Sequence, residues 1–247
     1  MRSIAKLMKD WQFTGPDGKT VTVDLPHTWN NIDGQDGGND YWRGSCTYKT
    51  SFAAPAFDPA AQQVWLQFEG VGDSAKVSLN GTEIANHDGG FSTFRADITA
   101  LLKEQNELTV IADNSKNDFV YPQKADFTFY GGIYRDVSLL VVNKNHIALG
   151  HFGDTGVKIT SDLKEGSADI QVETLVEGEG TVAVELLDAE DSTVAKGEGS
   201  KVSLHLDAPH LWNGVKDPYL YTCVVRLMQD GKPVDEVTTK VGLRSFS

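Results

Sequence analysis

Apolar side chains in this sequence recur at every second residue, in short runs separated by glycine, aspartate and asparagine. Side chains alternate between the two faces of an extended backbone, so such runs bury one face as strands and give no stripe for a helix to bury. In residues 45–52, Cys46, Tyr48, Thr50 and Phe52 share one face, and Thr47, Lys49 and Ser51 take the other. Val64, Leu66 and Phe68 align in the same way within 63–68. Residues 76–79 and 82–85 flank Asn80-Gly81. Both residues of a two-residue hairpin turn take positive φ, so this pair predicts a hairpin. Residues 107–113 and 134–142 read as further strands. One helical turn is predicted over 99–103, with Asp97 or Thr99 as its cap and Leu101 and Leu102 as its anchors. The first part of the chain is therefore expected to be all-β, with eight or more strands, a number that points to a jelly-roll sandwich rather than an up-and-down barrel.

Strand signals pause between residues 143 and 156, where Asn143, Asn145, Gly150, Gly153, Asp154 and Gly156 cluster. A domain boundary is placed there, giving domains at 1–145 and 146–247. After it come seven strand-like runs at 157–160, 168–175, 181–187, 193–196, 201–206, 219–227 and 234–243. Most are divided by glycine or aspartate turns, such as Asp230-Gly231. About a hundred residues with seven short strands read as an immunoglobulin-like sandwich. The fold class is thus all-β, a jelly-roll sandwich followed by an immunoglobulin-like one.

Charge narrows the partners. The 247 residues hold 22 Lys and Arg against 35 Asp and Glu, a formal net charge of −13. That field repels phosphate backbones and anionic lipid, so neither nucleic acid nor a membrane is expected as a partner, whereas a neutral sugar is indifferent to it. No apolar run approaches the ~20 residues of a membrane helix, and the segment after Met1 lacks the apolar stretch of a secretory signal, so a cytoplasmic location is expected. Cys46 and Cys223 lie far apart among apolar neighbours and read as two buried thiols in a reducing compartment. No phosphate-binding glycine loop, nucleophile elbow or metal-ligand spacing occurs, so neither a cofactor nor a metal is expected.

Aromatic residues gather at Trp11 and Phe13, at Trp29, at Tyr41 and Trp42, and at Phe127, Phe129, Tyr130 and Tyr134. Aromatic faces stack on the C–H faces of sugars, and they also fill sandwich cores; the sequence leaves both readings open. Two loops stand out. Residues 30–40 are polar, acidic and glycine-rich, too long for a tight turn. Residues 121–132 set Asp126 among aromatics and end on Gly131-Gly132, which permits close backbone approach. His27 and His87 read as hydrogen-bonded structural residues, not as acid–base groups.

Taken in order, these segments resemble the N-terminal portion of glycoside hydrolase family 2, which contains β-galactosidases, β-glucuronidases and β-mannosidases. The resemblance rests on Leu25-Pro26-His27-Thr28-Trp29 and on Tyr41-Trp42-Arg43-Gly44 with Tyr48. It continues through Phe68-Glu69-Gly70-Val71 and Asn80-Gly81, then Gly89-Gly90-Phe91 and Asp97-Ile98-Thr99. Its most specific part is Gly131-Gly132-Ile133-Tyr134-Arg135-Asp136-Val137. In the second domain it rests on Leu211-Trp212, Pro218-Tyr219-Leu220-Tyr221 and Val241-Gly242-Leu243-Arg244.

The resemblance implies a sugar-binding jelly roll and an immunoglobulin-like module that precede a (β/α)₈ barrel. Both catalytic glutamates of the family lie in that barrel, at the ~5–5.5 Å separation of retaining chemistry. It follows, as an expectation, that this chain is a fragment without catalytic residues and is inactive alone, its parent being a β-glycosidase, foremost a β-galactosidase, with homo-oligomerisation left open. By position, Asp126 stands where the family's galactosidases have an aspartate that reaches the substrate, and Asn39 and Asp40 lie in a loop near the same pocket. The partner implied is a β-galactoside held jointly with the barrel. Arg43 and Arg135 are expected as internal salt-bridge anchors. A lectin-like carbohydrate-binding protein, a purely structural or interaction module, and a β-glucuronidase or β-mannosidase fragment stay open as alternatives.

Overall fold

The computed structural model describes residues 1–32, 41–121 and 128–245. Among them the regular structure is all strand apart from one 3₁₀ turn, and no helix is long and apolar enough to cross a membrane. It divides into two compact units, Ser3–Val141 and Val142–Ser247, the latter together with Met1–Arg2.

The first unit holds β1 (Ser3–Lys6), β2 (Trp11–Thr14), β3 (Thr20–Val23), β4 (Ser45–Ala53), β5 (Gln62–Phe68), β6 (Ser74–Leu79), β7 (Thr82–Asp88), β8 (Phe94–Asp97), β9 (Gln105–Asp113) and β10 (Val137–Asn143), whose last two residues count with the second unit. Six strands form one sheet in the order β3-β2-β4-β9-β6-β7, and four form another in the order β1-β10-β5-β8. This is the jelly-roll sandwich. The alternation in β4 buries Cys46, Tyr48 and Phe52, as the pattern predicts. Trp11, Tyr48, Leu66, Phe68, Leu79, Ile98 and Leu108 fill the core, each stabilising the unit by roughly 1.5–3 kcal/mol through removal from water. Asn80 and Gly81 take φ of 52° and 85°, as the expected hairpin turn requires.

Two local expectations are corrected. The helical turn is only a 3₁₀ turn at Thr99–Leu101, and Asp97 accepts the Thr99 N–H at 2.9 Å at its start. The strand expected from residue 134 begins at Val137, because Tyr134 and Arg135 turn to the loop beside Gly90 and Phe91.

The second unit holds β11 (His146–Ile147), β12 (Val157–Lys164), β13 (Ser167–Thr174), β14 (Val176–Glu177), β15 (Thr181–Leu187), β16 (Thr193–Glu198), β17 (Lys201–Asp207), β18 (Tyr221–Gln229) and β19 (Lys232–Val241). All seven expected strands are present, in sheets ordered β12-β13-β17 and β16-β15-β18-β19, the arrangement of an immunoglobulin-like sandwich. Ile170, Leu186, Cys223 and Leu227 lie in its core. Asp230 and Gly231, at φ 48° and 73°, turn β18 into β19. The motif residues Trp212 and Arg244 meet: the Trp212 N–H donates to the Leu243 carbonyl at 2.9 Å, and the Arg244 guanidinium lies 4.6 Å from the indole centre.

One buried charge in this unit had no signal in the sequence. Asp235 is fully buried and receives Arg2 through both carboxylate oxygens, at 2.8 and 2.6 Å. The Ile147 N–H completes its shell at 2.8 Å. Buried carboxylates persist where charge and hydrogen bonds both compensate them, and this one has both.

Candidate functional site

The register of the six-stranded sheet lines up the ends of four strands. Ser45 opens β4 opposite Asp113, the last residue of β9; Asp113 also faces Ser74, the first of β6, and Ser74 faces Asp88, the last of β7. The connections leaving these strands therefore gather at one end of the sheet. Sandwich proteins place adaptable loops on a rigid frame in this way.

A cleft of about 330 Å³ opens among these connections. Thr28 reaches it from the β3–β4 connection, Asp73 from β5–β6 and Phe91 from β7–β8, while Thr128, Phe129, Tyr130 and Tyr134 come from β9–β10. Beside it a shallower depression of about 270 Å³ joins Gly89, Gly90 and Phe91 to Phe119, Val120 and Tyr121.

Two buried asparagines hold the walls. Asn30 donates from Nδ2 to the Trp42 carbonyl at 2.8 Å, and its Oδ1 accepts the Gly131 N–H at 2.8 Å and Asn114 Nδ2 at 3.1 Å. Asn114 also donates to the Phe129 carbonyl at 2.8 Å and accepts the Gly44 N–H at 2.8 Å. Both side chains are fully buried. Primary amides carry a donor and an acceptor at one point, so this pair can clamp the β3–β4 and β9–β10 connections together without burying a charge. The Thr28 hydroxyl adds a bond to the Gly131 carbonyl at 2.7 Å.

The glycine pair allows the close approach. A side chain at Gly131 would overlap the Trp29 ring. Gly132, at φ 128°, brings its backbone against His27 and Tyr48: an added Cβ would lie 2.5 Å from the His27 carbonyl oxygen and 2.8 Å from the Tyr48 hydroxyl. Its carbonyl accepts the Gly72 N–H at 3.0 Å. His27 is structural, as expected: Nδ1 and the Tyr48 hydroxyl are 2.7 Å apart, and the ring packs 4.7 Å from Phe13. His87 is likewise held, by Ser92 at 3.0 Å and by stacking on Phe94.

Asp73 is the charged residue of the lining. Its carboxylate is nearly buried, and burial pushes its pKa up against the opposing pull of Arg43, whose Nη2 stands 3.6 Å from Oδ2. Oδ2 is sealed from solvent and has no hydrogen-bond partner among the described residues. Nearby Asp113 behaves oppositely. Burial would raise it too, but hydrogen bonds from Ser115 and Ser45 outweigh that and hold its pKa below the usual carboxylate range. Arg43 also donates from Nε to the Asn114 carbonyl at 2.6 Å and lies 4.9 Å from the Phe129 ring centre.

Arg43 is thus the internal anchor the sequence predicts. Among the described residues Arg135 makes no salt bridge: it donates to the Phe91 carbonyl at 3.1 Å and the Glu69 carbonyl at 3.4 Å, while the adjacent Asp136 pairs with Lys6. Asp126, Asn39, Asp40 and Phe127 lie outside the described residues. The residues that follow them in sequence stand at the cleft: Thr128 lines it, and the Tyr41 ring lies 6.2 Å from Phe129. Of the aromatics singled out in the sequence, Trp11 and Phe13 are core residues, whereas Trp42 and Tyr130 are exposed. Asp73, Phe91 and Asn114 carry no site signal in the sequence beyond the motif glycines beside Phe91. Among the described residues no three His, Cys, Asp or Glu side chains come together as a metal site.

Two antiparallel sandwiches, one with a loop-end cleft of aromatics, define a two-unit β-sandwich protein. The family profile described as "Glycosyl hydrolase 2 galactose-binding domain-like" matches residues 36–161, and that described as "Glycosyl hydrolases family 2" matches 151–244. The chain belongs to glycoside hydrolase family 2. It is 34% identical to a β-glucuronidase of Bacteroides fragilis over 97% of its own length and 37% of that protein's. It is 29% identical to a β-galactosidase of Thermoanaerobacter pseudethanolicus over 74% of its length and 26% of that relative's. Among solved structures it resembles an FMN-binding β-glucuronidase from F. prausnitzii L2-6 with a TM-score of 0.93 and 36% identity, covering 99% of this chain and 40% of that one. A putative β-galactosidase from Bacteroides fragilis matches with a TM-score of 0.90 and 36% identity, over the whole of this chain and 42% of that one. The chain therefore spans well under half the length of these relatives.

Proposed function

We propose that these two units are the bracing and pocket-rim portion of a family 2 β-glycosidase that hydrolyses O-glycosidic bonds of carbohydrates, and that the two catalytic carboxyls belong to a further part of that enzyme. The observation that carries this reading is the match across 97% of this chain to 37% of a β-glucuronidase. The site chemistry is consistent with it. The two fully or nearly buried carboxylates among the described residues, Asp73 and Asp235, each face an arginine within their own unit. Neither is free to act as the nucleophile or the proton donor that retaining hydrolysis demands.

A β-glucuronide is the substrate class supported by the relatives at 34% and 36% identity. A β-galactoside is the second reading, favoured by the position of Asp126 and by the 36% identical putative β-galactosidase. In that second reading Asp126, with Asn39 and Asp40, contacts the sugar. The test is hydrolysis of 4-nitrophenyl β-D-glucuronide and β-D-galactoside by the 247-residue chain and by the longer enzyme. The chain alone is expected to cleave neither, the longer enzyme one of them, and Asp126→Ala in that enzyme to lower turnover at unchanged stability. Cleavage by the purified chain would overturn the assignment.

A further inference from the structure

The cleft at the loop end of the first unit presents mostly carbon, and three of its polar groups are already engaged. The Thr28 hydroxyl donates to Gly131, the Tyr134 hydroxyl donates to the Gly90 carbonyl, and Asp73 Oδ2 is closed off and faces Arg43. A pyranose ring seated there would lose hydration without enough partners to replace it, which is costly for every unpaired hydroxyl. A flat apolar ring would lose nothing. Phe91 is 61% exposed and Tyr130 44%, so aromatic surface stands in water around the opening. The Phe91 and Tyr134 rings lie 6.3 Å apart at 59°, offering both an edge and a face, the two arrangements in which an added ring gains most. The volume, about 330 Å³, is that of a small-molecule pocket. The Asn30–Asn114 clamp fixes the walls, so the opening exists before any ligand arrives and little ordering cost opposes binding.

We propose that this cleft binds the flat aromatic ring of a small molecule and, resting on the glycosidase reading above, that the ring is the aglycone of an aryl β-glycoside. Phe91 and Tyr130 then select among substrates by their leaving group, separately from the residues that contact the sugar.

The experiment has two arms. In the first, the 247-residue chain is titrated with 4-methylumbelliferone, and binding is followed by ligand fluorescence anisotropy. Saturable binding on the order of a millimolar or tighter is expected. Methyl β-D-glucuronide and methyl β-D-galactoside are expected not to compete. Phe91→Ala, at an exposed position that does not threaten folding, should weaken binding about threefold to tenfold. Phe152→Ala, an exposed aromatic of the second unit, should leave it unchanged. In the second arm, the longer enzyme is assayed on 4-methylumbelliferyl and methyl glycosides, and Phe91→Ala should raise KM for the aryl substrate alone. Failure of the chain to bind the ring, or binding indifferent to both Phe91→Ala and Tyr130→Ala, overturns the site. Ring binding with an unchanged aryl-to-methyl preference overturns the aglycone role and leaves the site. An enzyme that cleaves neither glycoside overturns the glycosidase reading, while ring binding by the chain stands on its own.

Discussion

The amide clamp gives the sharpest stability prediction. Replacing Asn30 by Ala removes the acceptor of the Gly131 N–H and of Asn114 Nδ2, and the donor to the Trp42 carbonyl. Asn114 keeps its bond to Phe129, so the main loss falls on the Gly131 amide, which is buried, with a smaller loss at Trp42. A buried donor left unpaired costs about 1–3 kcal/mol, and a weakened carbonyl about 1 kcal/mol more, so Asn30→Ala should destabilise the first unit by about 2–4 kcal/mol. With a urea slope of about 2 kcal/mol/M, its midpoint should fall by roughly 1–2 M. Far-UV circular dichroism follows the transition, and amide hydrogen exchange at Gly131 reports the site itself. Asn30→Asp keeps an acceptor for Gly131 but replaces the donor to Trp42 by a buried negative oxygen, and should be no better than Ala. Asn114→Ala should cost a similar amount, and the double variant less than the sum, because the two residues share a bond. A change below 1 kcal/mol for Asn30→Ala, with Gly131 exchange unaltered, would refute the claim that this pair holds the rim together.

Three further outcomes follow from the same geometry. Asp235→Asn weakens the pairing with Arg2 and leaves that guanidinium without a counter-charge in a largely buried position, so the second unit should lose about 3–5 kcal/mol by denaturant titration, more than any exposed ion pair such as Lys9–Asp24 would cost. Burial lowers the His27 pKa from the ordinary value near 6.5, so the unfolded chain binds the proton more readily than the native one. The stability this residue contributes is whole above about pH 6.5 and is lost as pH falls below it, and the drop in melting temperature from pH 7.5 to 5 should shrink in His27→Gln. Burial pushes the Cys46 thiol up to about 12 and the Cys223 thiol up to about 11, so neither should react with a disulfide reagent at pH 8 until the chain is unfolded in urea.

The strands were legible because their information is local. Period-two alternation in β4, and positive-φ residues at Asn80-Gly81 and Asp230-Gly231, report a strand or a hairpin from a handful of neighbouring residues. The short edge strands β1, β3 and β8 carry little alternation and gave no such signal; β1 and β3 are exposed or half-exposed along their whole length, so nothing in them needs to be apolar. The clamp residues were illegible for a different reason. Asn30 and Asn114 stand 84 residues apart and Arg2 and Asp235 stand 233 apart, and an asparagine in a polar loop looks the same whether it faces water or two backbone groups and a second amide.

That asymmetry also explains where the site lies. The sheet of the first unit is specified many times over by alternation, so its frame tolerates loops that carry no local signature, and the loops are free to be shaped by what they must hold. At this end the frame delivers Ser45, Ser74, Asp88 and Asp113 in one row, and the connections beyond them are fixed by two neutral amides, two glycines and one arginine. Neutral clamps leave Arg43 to pair with Asp73 and to lie over Phe129, so the one carboxylate of the lining is matched internally while the rest of the wall is largely aromatic. An apolar cleft on a surface of net charge −13 selects by shape and ring contact rather than by field. Raising ionic strength should therefore leave ring binding unchanged, and a steep loss of affinity between 50 and 500 mM salt, over which the screening length shrinks about threefold, would show that an ionic contact, not the aromatic wall, does the holding.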